Sequence, residues 1–344
     1  MTRRRSTAAI AVVVLGALIL TGCTEAGPMP VPTPEFTSTY APPEAITIAP
    51  LSGRPIAAGT AVNPSIAAKI DNHPAARPQV GLETTDIVFE ELVEGGLTRY
   101  VAIWQSKIPA ELGPVRSIRP MDPDIVSSFG GIIAYSGGQY RFVELMKAAP
   151  VYNAIHGQRD TADTFYRTPT KRAPHNVLVK ASVVVKQHSD LKPPVQQFGY
   201  AVDTATSTAA KDGKPTARIT LKFGQASTPV WAWDAKSSNW LRFQTGGAVD
   251  TATTGKQLSA TNVVVLRVTV DSGLGVPKTQ LIGKGEGWVS TGGATVHASW
   301  SKRSPTARIR LVDDNGAVIR LAPGNTWIEM VPSSGSVSFA PPAN

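Results

Sequence analysis

Residues 86–105 read DIVFEELVEGGLTRYVAIWQ, and this stretch decides the fold of the first half of the chain. Two apolar, β-branched and aromatic runs, 86–93 and 98–105, flank Glu94-Gly95-Gly96, whose glycines permit a reversal. The pair is expected to form an antiparallel hairpin. Alternation puts Glu90 and Glu91 on opposite faces, so one of them points inward. Upstream, 66–70 (IAAKI) reads as another strand. Downstream, 132–135 (IIAY) is a short buried strand leading through Gly137-Gly138 into 139–149 (QYRFVELMKAA). There Phe142, Leu145 and Met146 recur at helical spacing. A mixed α/β domain over 51–192 is the expectation.

Beyond Lys192-Pro193-Pro194 the character changes. The Thr/Ala/Ser-rich stretch that follows reads as a linker over 193–214. Short alternating runs such as ARITLKF, NWLRFQTG, NVVVLRVTV and TWIEMV are then separated by Gly, Asp-Asn-Gly or Pro-Gly turns. Aromatic and β-branched residues dominate them, so 215–337 reads as an all-β sandwich or partly open barrel. The fold class expected for the whole is α+β. A fragment beginning near Thr206 is expected to fold alone.

The N-terminus carries an address. Thr2 to Arg5 are basic, Ala8 to Leu20 are uncharged and apolar, and Leu20-Thr21-Gly22-Cys23 closes the run. The apolar run is shorter than the roughly 20 residues of a comfortable membrane span. Small residues before a single cysteine mark a lipoprotein signal peptide over 1–22, with Cys23 as the lipidated residue. The chain is then expected on the extracytoplasmic face of the cell membrane, held by lipid. Residues 23–50, rich in Pro and Thr without apolar period, read as a disordered tether. Cys23 is the sole cysteine, which excludes an intramolecular disulfide and cysteine-based catalysis in the folded part. Loss of Arg3, Arg4 and Arg5 with the leader lowers the net charge from +9 to +6. That excess suits anionic lipid or wall polymer, and no basic stripe interleaved with aromatics points to nucleic acid.

Candidate chemistry sits in the first domain. Lys69, Asp71, Asn72 and Arg77 lie at or just after a strand end, where α/β proteins place functional groups. GPVRSIRP (113–120) sets Arg116 and Arg119 three apart between prolines. Each guanidinium is a planar fork suited to carboxylate or phosphate. With Arg77, Arg99, Gly137 and Gly138 they are the candidate ligand-binding residues, the glycines letting backbone N–H groups approach an anion. Structural pairing of the arginines with Glu90, Glu91 or Glu94 would account for the same charges. His175, in RAPHN (172–176), is a candidate base or a loop histidine bonded to a carbonyl. His73, His156, His188 and His297 stand apart. With no HExxH and no paired cysteines, no metal site is expected, and no G-x-S-x-G, P-loop or dinucleotide fingerprint occurs.

The segments 69–106 (KIDNHPAARPQVGLETTDIVFEELVEGGLTRYVAIWQS), 113–120 and 172–176 resemble the YerB-like lipoproteins, a two-domain family of unknown function. In the second half, VDTATTGKQLSATNVVVL, GGATVHASWSK and APGNTWIEMVP carry the same resemblance. Ile118-Arg119-Pro120 departs from it, since relatives carry a small residue before the second arginine and no proline after it. The resemblance implies a membrane-anchored envelope protein and assigns no activity. The order of motifs, Thr85-Asp86, Arg116 to Arg119, then AYSGG before a helix, also resembles that of the LytR-CpsA-Psr glycopolymer transferases, as an analogy only.

Two functions fit these residues. One is a binding module for an anionic wall polymer, a lipid-linked precursor or an envelope protein, needing no cofactor. The alternative is a phosphoryl or glycopolymer transferase, with Asp71, Glu90 or His175 in catalytic roles and a divalent metal arriving with substrate. The first is preferred, because no motif supplies an activated nucleophile or a spaced acid/base pair.

Overall fold

The computed structural model describes residues 47–343. Cys23 and most of the tether therefore lie outside the described residues. The first-half strands fall where the apolar runs end: β1 (Ile66–Asp71), β2 (Ile87–Leu92), β3 (Thr98–Trp104) and β4 (Ile132–Tyr135), followed by β5 (Tyr152–Ile155). β3 pairs antiparallel with both β2 and β1, and β1, β4 and β5 run parallel. Helices α1 (Asp122–Val126) and α2 (Tyr140–Lys147) lie on one face, α3 (Ala181–Gln187) on the other. Both faces of β1 to β3 are covered, which is why these strands read as nearly unbroken apolar runs.

The second half is β-rich as expected, and the described sheets are open, with no closed barrel. Its relation to the first half differs from the expectation. The strand Thr326–Pro332 pairs in parallel with β2 on one side and with Asn262–Val268 on the other. Gly283–Thr291, Ala294–Lys302 and Arg310–Val312 extend the same sheet outward. Among the described residues one eleven-stranded sheet thus runs through both halves. A second, five-stranded sheet packs Ile219, Leu221, Trp231 and Trp240 against Val263, Val265 and Trp327 of the first. This layer is the sandwich part of the expectation. Trp327 meets both Tyr100 and Trp231 edge-on, with ring centroids 5.2 Å apart in each pair.

Two segments expected to lie between or before the domains contact them. Residues 193–214 are packed, with Phe198 and Ala201 buried and Ala209 of α4 (Thr208–Asp212) wholly so. Gly199–Tyr200 also pairs with Arg320–Leu321. The polar composition of the segment hid these few apolar anchors, and it is not a free linker. The last residues of the expected tether are likewise in the fold: Ala49 is buried and Pro50 O accepts from Gln197 N at 3.3 Å.

Candidate functional site

Asp71 ends β1 at the carboxyl edge of the parallel strands, where open α/β sheets expose ligand sites. The loop 113–119 is laid across this edge. Asp71 N donates to Pro114 O at 2.9 Å, Arg116 N to Lys69 O at 2.8 Å, and Ser136 N to Arg116 O at 2.9 Å. The loop is pinned from below. Asp122 Oδ2 accepts from Arg119 N at 2.6 Å, while Asp122 Oδ1 and Glu91 share buried Lys69. Two carboxylates around one ammonium leave an excess of negative charge away from water. Burial, with Asp122 adding to it and Lys69 opposing, pushes the Glu91 carboxyl up to about 8.

The result is a cavity of about 220 Å³ lined by Asp71, His73, Glu94, Thr98, Arg99, Arg116, Arg119 and His175, with Val93 and Leu97. Arg119 binds Glu94 through two nitrogens, at 2.8 and 2.9 Å. Burial is the largest single influence and would raise Glu94, but the Arg119 bond, a backbone hydrogen bond and the charges of Arg119 and Arg99 together outweigh it and hold the carboxyl below its ordinary value. Arg116 Nε stands 3.3 Å from Asp71 Oδ2 without a hydrogen bond, and its Nη1 donates to Pro174 O at 3.2 Å. Arg99 is 8 % exposed and donates to Ser117 O at 2.8 Å. No carboxylate among the described residues reaches ion-pairing distance of it. Burial, then the neighbouring Arg119 and Arg116, push its guanidinium down to about 10.

His175 lines the same cavity and shares Asp71 Oδ2 with Arg116. Its Nδ1 is 2.6 Å from Asp71 Oδ2, and Asp71 Oδ1 accepts from His73 N at 3.0 Å. The His73 and His175 rings stack, with centroids 4.3 Å apart and planes 18° apart. His73 Nδ1 accepts from Ala75 N at 3.1 Å, and burial, with His175 adding, holds His73 below its ordinary pKa.

Asp71, Arg99, Arg116, Arg119 and His175 thus meet in one cavity, and four expected residues do not. Arg77 turns back on Asn72, donating to its Oδ1 at 3.0 Å and its O at 2.7 Å. Gly137 and Gly138 carry the arginine loop instead of lining the cavity. Gly137 O accepts from Ile118 N at 3.1 Å, and a Cβ on Gly138 would lie 3.0 Å from the Ile118 side chain. Glu90 is fully buried on the opposite face from Glu91, beyond reach of any substrate, and pairs with Arg242 at 2.5 Å. Neither glutamate pairs with the loop arginines.

Two residues escaped the sequence reading. His73 is not isolated, since the loop after β1 folds it onto His175. Arg242 is fully buried and meets Glu90, Asp250 at 3.0 Å and Glu329 at 2.9 Å, with the Trp327 ring 4.6 Å from its guanidinium carbon. Its signal was present: in NWLRF, alternation puts Arg242 on the same inward face as Trp240. Gln244 links this network to Asn72, donating to its Oδ1 at 3.1 Å, and Thr98 donates to Glu90 Oε1 at 2.6 Å. The cavity floor is therefore tied to a buried ion cluster built from both halves. Among the described residues no group of three or more His, Cys, Asp or Glu side chains comes together in a way that could hold a metal ion.

Fold and cavity together define a two-part α+β protein with an arginine-lined cavity. The chain belongs to the family described as a protein of unknown function, DUF3048, whose N-terminal domain matches residues 51–193 and whose C-terminal domain matches 219–328. It is similar to "Putative lipoprotein YerB" of Bacillus subtilis (strain 168), 26% identical over 304 residues, covering 85% of this chain and 88% of that protein. It also shares its fold with the crystal structure of YerB protein from Bacillus subtilis, with a TM-score of 0.73 and 24% identity over 85% of this chain and 99% of that one. The resemblance read from the sequence motifs therefore holds.

Proposed function

We propose that this protein is an envelope lipoprotein, anchored through Cys23 on the outer face of the cell membrane, whose pocket holds an anionic group. The group is a phosphate or carboxylate of a wall polymer, a lipid-linked precursor or an envelope protein. Arg99 is the observation that carries the reading. A nearly buried guanidinium beside two others, with no carboxylate of its own, is a cost that a bound anion would offset. The cavity is smaller than the ~300–1,000 Å³ of sites that enclose a whole small molecule, which favours one headgroup or one linkage of a longer ligand. A second reading, transfer of a phosphoryl or glycosyl-phosphate group, is favoured by the Asp71–His175 contact and uses the same pocket.

Inorganic phosphate should therefore raise the melting temperature of the mature chain more than chloride at equal ionic strength. Binding to the native state adds about 2.7 kcal/mol at a hundred times Kd. Arg116→Lys keeps the charge and loses the fork, so the increment should shrink. Equal increments in both proteins would remove Arg116 from the pocket's binding set.

The anchor is tested separately. Cys23→Ala should leave the precursor uncleaved or release the protein to the medium, because no other residue offers the thiol. Acyl chains at about 0.8 kcal/mol per buried CH₂ hold a lipidated chain stably. Unchanged membrane fractionation of the variant, with the leader removed, would rule out the anchor.

A further inference from the structure

The pocket holds more than binding requires. Resting on the anion-pocket reading and going beyond it, we propose that the site hydrolyses a phosphodiester, with His175 as general base, Asp71 as its positioning residue, and Arg99 and Arg116 neutralising the phosphoryl oxygens.

The tautomer is set by geometry. Asp71 Oδ2 at 2.6 Å from Nδ1 keeps the His175 proton on that nitrogen. Nε2 is then a lone-pair acceptor, and among the described residues it has no protein partner while the ring lines the cavity. Asp71 is itself fixed, by His73 N–H at one oxygen and by the nearby Arg116 at the other. The stacked His73 ring walls one face of His175 and limits its rotation. A carboxylate behind a histidine whose far nitrogen faces a cavity is the arrangement that general-base chemistry needs.

The choice of a diester follows from charge and forks. Arg99, Arg116 and Arg119 against Asp71 and Glu94 leave one positive charge, which a monoanionic diester neutralises. A dianionic monoester would overshoot it. Arg119's fork is occupied by Glu94, so Arg99 and Arg116 remain for the two non-bridging oxygens of the diester. In the step, the oxygen of water forms a bond to phosphorus as the bond from phosphorus to the alcohol oxygen breaks. His175 Nε2 takes one proton from the attacking water and later releases it to solvent, while the departing alkoxide, on the far side of phosphorus, takes its proton from solvent water, giving a monoester and an alcohol. Charge gathering on the equatorial oxygens meets the two guanidiniums. No oxidant or other co-reactant is consumed.

The test measures release of 4-nitrophenol from bis(4-nitrophenyl) phosphate and of monoester from poly(glycerol phosphate). The mature chain, His175→Gln and Asp71→Asn are compared, with inorganic phosphate binding recorded in parallel. His175→Gln should lower kcat by about 10²–10⁴-fold, as loss of a general base does, while phosphate binding stays within about threefold. Asp71→Asn should lower kcat and move the acid limb of the pH–rate profile, which a merely structural aspartate would leave in place. Phosphate binding with no cleavage of either diester would overturn hydrolysis and leave the binding pocket standing. Absence of both would overturn pocket and reaction together. Full turnover in His175→Gln would remove His175 from the chemistry.

Discussion

Arg242→Ala should destabilise the protein by about 3–5 kcal/mol, the range found when one partner of a buried ion pair is removed. Among the described residues Arg242 is the sole cation that Glu90, Asp250 and Glu329 meet in pairs at hydrogen-bonding distance, and all four side chains are shut away from water. Burial, with Glu90 adding to it and Arg242 opposing, raises Glu329 well above the ordinary carboxylate range. Burial also raises Asp250, though Arg242 opposes it. Without the guanidinium, the three carboxyl groups would be left away from water without the cation they pair with. Arg242→Met, which fills the volume, should recover little, because the uncompensated charges remain. Denaturant unfolding of both variants measures this, and a loss below about 1 kcal/mol in Arg242→Ala would show that the cluster contributes little to stability.

The second large effect concerns the chain cut in two. A fragment of residues 206–344 expressed alone should fail to give a cooperatively folded protein. The strand Thr326–Pro332 is wholly buried and hydrogen-bonded to β2 along one edge. Cutting the chain would expose that edge as an open template for pairing with other chains. It would also uncover Ile328 and Met330, strip Trp327 of Tyr100, and leave Arg242 and Glu329 without Glu90. Co-expression with residues 47–205 should restore a soluble complex. A monomeric fragment with a sharp thermal transition would show that the second half is a domain in its own right, as its sequence pattern suggests.

That contrast shows where sequence stops being legible. β1 to β4 were readable within a residue or two because each is a short apolar run closed by turn residues, and the hairpin of β2 and β3 is a local event. The parallel pairing of β2 with Thr326–Pro332 leaves no local trace, since neither run differs from any other buried strand. The site divides the same way. Arg116 and Arg119 belong to one loop and announced themselves, whereas Asp71, His73 and His175 meet only through the folding of distant loops. Arg77 and the two glycines were placed correctly at strand ends and loops, but direction decides function. Arg77 turns to Asn72, and the glycines serve close packing.

The central claim is that the cavity around Arg99 binds an anion, and calorimetric titration of wild type and Arg99→Met with inorganic phosphate tests it most directly. The wild type should show one saturable site that weakens as salt rises, since surface-connected charges are screened. Arg99→Met should abolish the binding while leaving stability equal or higher, because it relieves a buried cation that has no carboxylate at ion-pairing distance among the described residues. Absence of binding by the wild type, or undiminished binding by Arg99→Met, would contradict the account.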